Sequence, residues 1–144
     1  MTGTASNWFF WAVLSAVFAA LTAIFAKIGL DGIDSDLATL VRTVVILVVL
    51  ATFVVATGKW VDPLTLPARS WLFLVLSGLA TGASWVCYFR ALKVGDASKV
   101  APVDKLSVVL VALFAAALLG ERPAPREWLG IALVGIGVVV LALK

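Results

Sequence analysis

Three charged side chains lie at least four residues inside long apolar stretches of this sequence, where residues able to do chemistry are otherwise scarce. They are Arg42, Asp104 and Lys105. Ionisable groups inside a bilayer are costly, and they tend to mark substrate or ion pathways. Arg42 follows Asp36 by six residues, about 9 Å along a helix. It therefore either extends to the membrane interface or faces the helix bundle, where it would meet a carboxylate or an anionic substrate.

The depth of Asp104 and Lys105 depends on where the helix around Pro102 begins. If Pro102 is the first helical residue, both charges lie near the lipid headgroups. If the helix begins at Ser98, Pro102 kinks it and the pair lies deeper. Lys105 is badly placed for the dipole of a helix N-terminus, so we expect a specific partner: Asp104 of a second copy, another acidic residue or a substrate. A purely structural ion pair is the alternative. Asp104 is also the best embedded carboxylate for proton coupling, provided that burial favours its protonated form.

Hydroxyl groups recur at helical spacing in the apolar stretch that precedes these charges. The stripe consists of Ser77, Thr81, Ser84 and Tyr88. Spacings of four, three and four place them on one helix face. The neighbouring stripe is Gly78, Gly82, Trp85 and Phe89. Gly78 and Gly82 form a small-xxx-small pattern that lets another helix approach. We expect a cavity wall in which Trp85 and Tyr88 hold an apolar group, unless each hydroxyl merely bonds the carbonyl four residues earlier.

Several kinds of chemistry are excluded by residue types. Cys87 is the one cysteine and the sequence has no histidine, which excludes Cys/His nucleophilic pairs and the usual zinc sites. We also find no carboxylate dyad. The sequence therefore predicts neither an enzyme nor a bound metal or cofactor. The eleven basic residues are scattered along the whole chain, so they form no patch for nucleic acid.

Five apolar blocks must position these side chains. The chain is 63% hydrophobic and 13% charged, with a mean hydropathy of +1.15. The blocks are Trp8–Leu30, Leu37–Thr57, Trp71–Leu92, Val100–Leu119 and Trp128–Leu143. Each is long enough, or nearly so, to cross about 30 Å of hydrocarbon as a helix. We predict an all-α membrane protein, with residues 1–144 forming a single domain of five transmembrane helices.

An odd number of helices places the two termini on opposite sides of the membrane. Basic residues in the gaps and at the ends of the blocks would normally orient the bundle, but their numbers on the two faces are nearly equal. One face has Lys59, Arg69, Arg122 and Arg126. The other has Lys27, Arg90, Lys93, Lys99 and Lys144. Either folding or an insertion factor sets one orientation, or the chain inserts both ways and pairs antiparallel. Many transporters consist of two inverted repeats, and this chain has the architecture of one half.

A longer pattern resembles a known family. Arg90-Ala-Leu-Lys-Val-Gly-Asp-Ala-Ser-Lys-Val-Ala-Pro102 precedes an apolar helix that ends in Leu-Leu-Gly-Glu121. The last helix is rich in glycine, with Gly130, Gly135 and Gly137, which we expect to pack against lipid or a partner. From Trp8 to Leu143 the sequence resembles the EamA domain of the drug/metabolite transporter superfamily, as a single-domain, half-size member.

The resemblance implies a homodimer, which could be antiparallel, that rebuilds the ten-helix arrangement of two-domain members and exports amino acids or other small metabolites. The stretch from Asp104 to Ser107 is similar to the half-size branch. Four-helix relatives, the small multidrug-resistance exporters, use a glutamate in their first helix. The first block here has no acidic residue, so that mechanism does not transfer.

The leading hypothesis is a small-metabolite transporter of the prokaryotic inner membrane, a homodimer that works by alternating access. Arg42 and Lys105 favour an amino acid or another zwitterionic or anionic amphipathic substrate. The alternative is a non-transporting scaffold or an accessory subunit of a heteromeric transporter. The sequence leaves open the substrate, the direction of transport, the coupling ion, single versus dual topology, and parallel versus antiparallel pairing.

Overall fold

A computed structural model describes residues 5–143, with side chains from residue 8 onward. Its helices are α1 (Ala5–Gly29), α2 (Ser35–Ala56), α3 (Ala68–Val94), α4 (Ala97–Asp104), α5 (Leu106–Phe114) and α6 (Pro125–Ala142). A 3₁₀ turn covers Pro63–Thr65, and a π-helical turn covers Ala115–Leu119. The described residues contain no strand. Lys144, which entered the charge comparison above, lies outside them.

Within the described residues, five helical segments are long and apolar enough to cross a membrane. They are Trp8–Gly29, Ser35–Ala56, Ala68–Val94, Ala97–Leu119 and Pro125–Ala142. The fourth segment combines α4, α5 and the π-helical turn. The predicted all-α membrane protein with five transmembrane helices is therefore confirmed. Helix α2 is rich in valine, which is a poor helix former in water. A bilayer offers its backbone no other hydrogen-bond partners, so the helix is the stable solution there.

Helix α2 begins at a side-chain cap. Asp34 Oδ1 accepts hydrogen bonds from the backbone N–H groups of Asp36 (2.9 Å) and Leu37 (3.1 Å). Such a cap satisfies two of the N–H groups that a helix start leaves unpaired. Asp36 lies in the first turn, where the helix dipole favours a carboxylate. The cap therefore fixes where α2 begins, and with it the position of every later residue of α2.

The fourth span begins earlier than the sequence predicted. Helix α4 begins at Ala97 rather than near Val100 and contains Pro102, which agrees with the second of the two alternatives. α-Helical bonding is interrupted at Lys105, whose N–H donates to the Pro102 carbonyl at 2.9 Å, as in a 3₁₀ turn. The span ends at Gly120, whose φ of +69° is the left-handed conformation that favours glycine.

The described chain forms two compact units. Residues 26–93 form one unit, comprising the end of α1, all of α2 and nearly all of α3. Its buried residues lie at one end: Leu30, Ser35, Thr39, Phe89 and Leu92. The remaining apolar side chains of α2 and α3 are largely exposed. In a membrane-spanning segment lipid covers such side chains without penalty, so a small protein core suffices.

The second unit contains residues 5–25 and 94–143. Helix α6 packs against α4 and α5. The approach is closest at Gly135, where an added Cβ would lie 3.3 Å from Val109 Cγ2. A side chain at this position would press on Val109 of α5, so the close approach favours glycine.

Candidate substrate site

A bidentate ion pair joins the start of α2 to the end of α3. Arg90 Nε donates to Asp36 Oδ1 at 3.0 Å, and Arg90 Nη2 donates to Asp36 Oδ2 at 2.6 Å. Both side chains are about half exposed. The carboxylate lies in the first turn of its helix and the guanidinium one turn before the end of its own. Each charge therefore complements the dipole of the helix that carries it, and the pair joins α2 to α3 at this end of the two helices.

Arg42 lies further along the same α2–α3 contact. Its guanidinium carbon is 4.3 Å from the centre of the Trp85 ring and 5.2 Å from that of Phe89. These distances are within the range of cation–π attraction. Phe89 is buried, and Arg42 and Trp85 are half-buried. Among the described residues, no carboxylate oxygen lies within 4 Å of the guanidinium. Arg42 is thus held by ring faces and not by an acidic partner.

The hydroxyl stripe of α3 follows the helix surface toward this cluster. Ser77, Thr81 and Ser84 are exposed, whereas Tyr88 is half-buried and has its ring 6.3 Å from that of Phe89. Thr81 Oγ1 donates to the Ser77 carbonyl at 2.9 Å, the local bond that the sequence left as the alternative. The oxygen of that hydroxyl can still accept a hydrogen bond. A role of the stripe in lining a cavity stays a prediction.

The five glycines with a predicted packing role differ in their surroundings. Gly135 faces Val109, as described above. No atom of its own unit lies within 4 Å of an added Cβ at Gly78, Gly82, Gly130 or Gly137. Within one chain, close helix packing is therefore seen at Gly135. At the other four positions the predicted packing would have to involve another surface.

The second predicted charge cluster lies at the interruption between α4 and α5. Lys105 Nζ is 3.3 Å from Asp104 Oδ2, and both side chains are partly exposed. Ser107 is exposed in the first turn of α5. Lys105 therefore pairs with its neighbour in the same chain, and this cluster belongs to the unit that does not contain Arg42. A role for the three residues in binding substrate or protons stays a prediction.

With this geometry in place, comparison with known proteins identifies the family. The model of the EamA-like transporter family matches residues 6–143. The chain belongs to the EamA-like transporter family. A Sinorhizobium sp protein described as "Uncharacterized transporter in cobO 3'region" is 61% identical over 137 residues, which cover 95% of this chain and 97% of that protein. No solved structure matches the chain.

Membership confirms the resemblance found in the sequence and the prediction of a transporter. This EamA-like chain is a multi-pass membrane protein, whose partners are the lipid bilayer and a small-molecule substrate. The family and the relative's name indicate transport, which is not an enzyme class. Groups of three or more metal-ligating side chains are absent from the described part of the chain.

Two contacts in this EamA-like protein were not predicted from its sequence: the ion pair of Arg90 with Asp36 and the contact of Arg42 with Phe89. Arg90 was assigned to a gap and not to an ion pair, and Phe89 was not recognised as a partner of Arg42. A signal for the first exists: Asp36 opens one predicted helix, and Arg90 lies near the end of the next. Because consecutive spans are antiparallel, these two helix ends reach the same membrane face, where opposite charges attract. The second depends on a side-chain direction that spacing alone does not give.

Proposed function

We propose that this EamA-like protein is a small-metabolite exporter of the prokaryotic plasma membrane whose substrate carries a carboxylate bound by Arg42. The observation that carries the proposal is the Arg42 guanidinium, placed against Trp85 and Phe89 with no described carboxylate within 4 Å. The substrate class that fits is an amino acid or another zwitterionic or anionic amphipathic metabolite.

The chemistry of Arg42 supports this substrate class. The residue lies seven positions after the start of α2, about 10 Å along the helix. A cation at such a depth is costly unless it has a function or a partner. Ring faces stabilise the charge without occupying the in-plane N–H donors, and these donors match the two oxygens of a carboxylate. The same rings, with Tyr88 beside Phe89, would contact the apolar part of the substrate.

We further infer that two copies form the working transporter. Alternating access in inverted-repeat transporters rocks one repeat against another around a shared site, and this chain supplies five spans. The exposed hydroxyls of α3 and the open surface at Gly78 and Gly82 support a second copy as the missing half. A homodimer would then place α3 of each copy at the substrate pathway.

The distribution of tryptophan favours an antiparallel pair. Five of the six tryptophans lie near helix ends: Trp8, Trp11, Trp60, Trp71 and Trp128. Because successive spans cross in opposite directions, these ends reach the same membrane face. Membrane proteins usually have aromatic residues at both interfaces. An inverted second copy would supply the tryptophans of the opposite interface, whereas a parallel copy would leave that interface without any.

Transport in proteoliposomes tests the proposed substrate class. Vesicles loaded with unlabelled amino acids would be mixed with trace radiolabelled ones, and counterflow would be measured for each. We expect counterflow of at least one carboxylate-bearing solute in wild type, its loss in Arg42→Gln, and its retention in Arg69→Gln, a matched change in the first turn of α3. Equal activity in Arg42→Gln would refute the role of Arg42. A complete absence of counterflow across the panel would favour an accessory subunit.

Thiol labelling in intact cells tests the pairing. Single cysteines would be introduced by Leu64→Cys and Ser98→Cys in a Cys87→Ala background. These positions lie beyond opposite ends of α3 and therefore on opposite sides of the membrane. An antiparallel dimer predicts that an impermeant reagent labels about half of the molecules at each position. Full labelling at one position and none at the other would exclude dual topology.

A further inference from the structure

An open concavity lies at the opposite end of the first unit from the α2–α3 connection, outside the candidate substrate site. Its volume is about 550 Å³. The lining residues come from the end of α1, the α1–α2 connection and the end of α3: Lys27, Ile28, Leu30, Asp31, Gly32 and Lys93. Two cations, one carboxylate and an apolar wall therefore meet at one opening, at the level where the chain leaves the membrane.

Two lysines are held at this concavity by reciprocal contacts. Lys27, in the last turn of α1, donates through Nζ to the Leu92 carbonyl of α3 at 2.7 Å. Lys93, in the last turn of α3, donates through Nζ to the Ile33 carbonyl of the α1–α2 connection. An ammonium has three N–H donors, so one bond to a carbonyl leaves Lys93 able to donate to a ligand. The contacts fix the direction of both ammonium groups.

The concavity also contains one negatively charged side chain, the carboxylate of Asp31. Asp31 is exposed in the α1–α2 connection, and among the described residues no cation lies within 4 Å of its carboxylate. Ile28 is 68% exposed and adds an apolar surface beside the charges. The concavity thus presents two positive charges and one negative charge, a pattern that complements a zwitterion group by group: the lysines match its anionic group and the aspartate its ammonium.

We propose that this concavity is a binding site for the headgroup of a phospholipid, with the phosphodiester on Lys27 and Lys93 and an ethanolamine ammonium on Asp31. The site lies between the end of the first spanning segment and the start of the second, which would place it at the level of the lipid headgroups. Phosphodiesters are the most abundant anions at that level, and basic pockets between transmembrane helices bind lipid headgroups. The carboxyl ends of α1 and α3 repel anions through their dipoles. The two ammonium groups offset that repulsion and supply the positive charge that a phosphodiester needs. The proposal is independent of the transported substrate.

Native mass spectrometry of the purified full chain tests the site. Phosphatidylethanolamine, phosphatidylglycerol and phosphatidylcholine would be offered at equal concentrations, and retained lipid would be counted for each variant. Wild type should retain phosphatidylethanolamine over phosphatidylcholine, whose methylated ammonium cannot donate to Asp31. Lys27→Gln and Lys93→Gln should each lower retention of all three lipids about fivefold, since one cation near a lipid surface contributes about 1 kcal/mol.

Substitution of Asp31 gives the most direct test of the contact between the carboxylate and the lipid ammonium. Asp31→Asn keeps both lysines, so it should shift the preference from phosphatidylethanolamine to phosphatidylglycerol without reducing total retention. The matched controls are Lys59→Gln and Asp62→Asn in the α2–α3 connection, which should change nothing. Unaltered preference in Asp31→Asn would overturn the assignment of the ammonium.

Two further measurements distinguish a bound lipid from free phosphate and from a folding defect. Inorganic phosphate at millimolar concentration should not displace the lipid, and displacement would show that the site takes free phosphate instead. Lys27→Arg and Lys93→Arg keep the charge and the contact to the carbonyl, so they should retain lipid even if the glutamine variants fold poorly. Loss of lipid in both arginine variants, with an unchanged melting temperature, would overturn the proposal.

Discussion

The guanidinium carbon of Arg42 lies 4.3 Å from the centre of the Trp85 ring, within segments long and apolar enough to span a membrane. Helix α2 supplies the cation and helix α3 supplies the ring, so the contact forms only when both helices are in place. Because the aromatic face neutralises little of the formal charge, the guanidinium can still bind an anion. This relationship connects the fold of the first unit to the proposed recognition of a carboxylate.

Arg42 should discriminate a carboxylate from its neutral amide. A hydrogen-bonded charge pair contributes about 1.5–3 kcal/mol, so wild type should prefer a carboxylate substrate over the carboxamide analogue by about 10- to 100-fold in counterflow. Arg42→Gln should lose that preference, and Arg42→Lys should keep part of it because a lysine cannot form the planar fork. Competition of the two analogues against one labelled substrate measures the ratio. An unchanged ratio in Arg42→Gln would place the carboxylate elsewhere.

Trp85 should stabilise the position of Arg42 through its ring face. Trp85→Phe retains a smaller ring and Trp85→Leu removes it, so cation–π attraction of about 0.5–2 kcal/mol should be lost in steps. We expect the melting temperature to fall in the order wild type, Trp85→Phe, Trp85→Leu. The double variant Trp85→Leu/Arg42→Gln should be less destabilised than the sum of the two single changes. Strict additivity would mean that the two side chains do not interact.

The contribution of the ion pair between Asp36 and Arg90 to thermal stability should require both opposite charges and not either charge alone. Its side chains are 48% and 62% exposed, so salt screens the attraction and the single variants Asp36→Asn and Arg90→Gln should lower the melting temperature only slightly at high ionic strength. At low salt the decrease should be larger. The charge swap Asp36→Arg with Arg90→Asp should recover part of the loss, as measured by thermal unfolding in detergent. A swap no more stable than either single variant would contradict a direct pair.

Gly135 should be the least tolerant glycine of α6. A leucine there would be forced into Val109 of α5, because even its Cβ would lie 3.3 Å from Val109 Cγ2. Overpacking of this kind costs about 1–3 kcal/mol. Gly137→Leu is the matched control on the same helix, since no described atom outside its own stretch of helix lies within 4 Å of its Cβ position. Unfolding titrations of both variants should show a lower stability for Gly135→Leu, and equal values would argue against a close contact with α5.

Substitution of Asp104 should affect proton-coupled transport and substrate exchange differently. If this carboxylate carries the coupled proton, Asp104→Asn abolishes uptake driven by a pH gradient but leaves counterflow intact, because exchange needs no net proton movement. Lys105→Gln tests the neighbouring cation and should alter counterflow only if Lys105 contacts substrate. Gradient-driven and exchange fluxes would be compared in the same proteoliposomes. Normal gradient-driven uptake by Asp104→Asn would assign coupling to another group.

Much of the fold could be predicted because it depends on local composition. Apolar runs of this length can satisfy their backbone in lipid only as helices, which makes the number of spans a property of the sequence. The beginning of the fourth span does not follow from composition in this way, since Pro102 is compatible both with a helix start and with a kink. The structure places Pro102 inside α4, which begins at Ala97, three residues before the apolar block that begins at Val100.

The candidate site was only partly predictable. Arg42, Trp85 and Tyr88 stand out because charged and polar-tipped residues are unusual in apolar blocks. Whether Arg42 extends to the interface or turns onto α3 is not a matter of spacing, since a long flexible side chain can do either. Its contact with Phe89 depends on the rotation and register of two helices that are distant along the chain.

The sequence by itself therefore determined the membrane class, the five spans, the family and the residues able to do chemistry, because each follows from local composition or an ordered motif. Only the tertiary structure decided which of those residues meet. It paired Asp36 with Arg90, stacked Arg42 on Trp85, and brought Lys27 and Lys93 to one concavity. The physical reason is that side-chain contacts between helices depend on register, rotation and helix ends, and these are fixed only when caps, dipoles and packing act together across the chain.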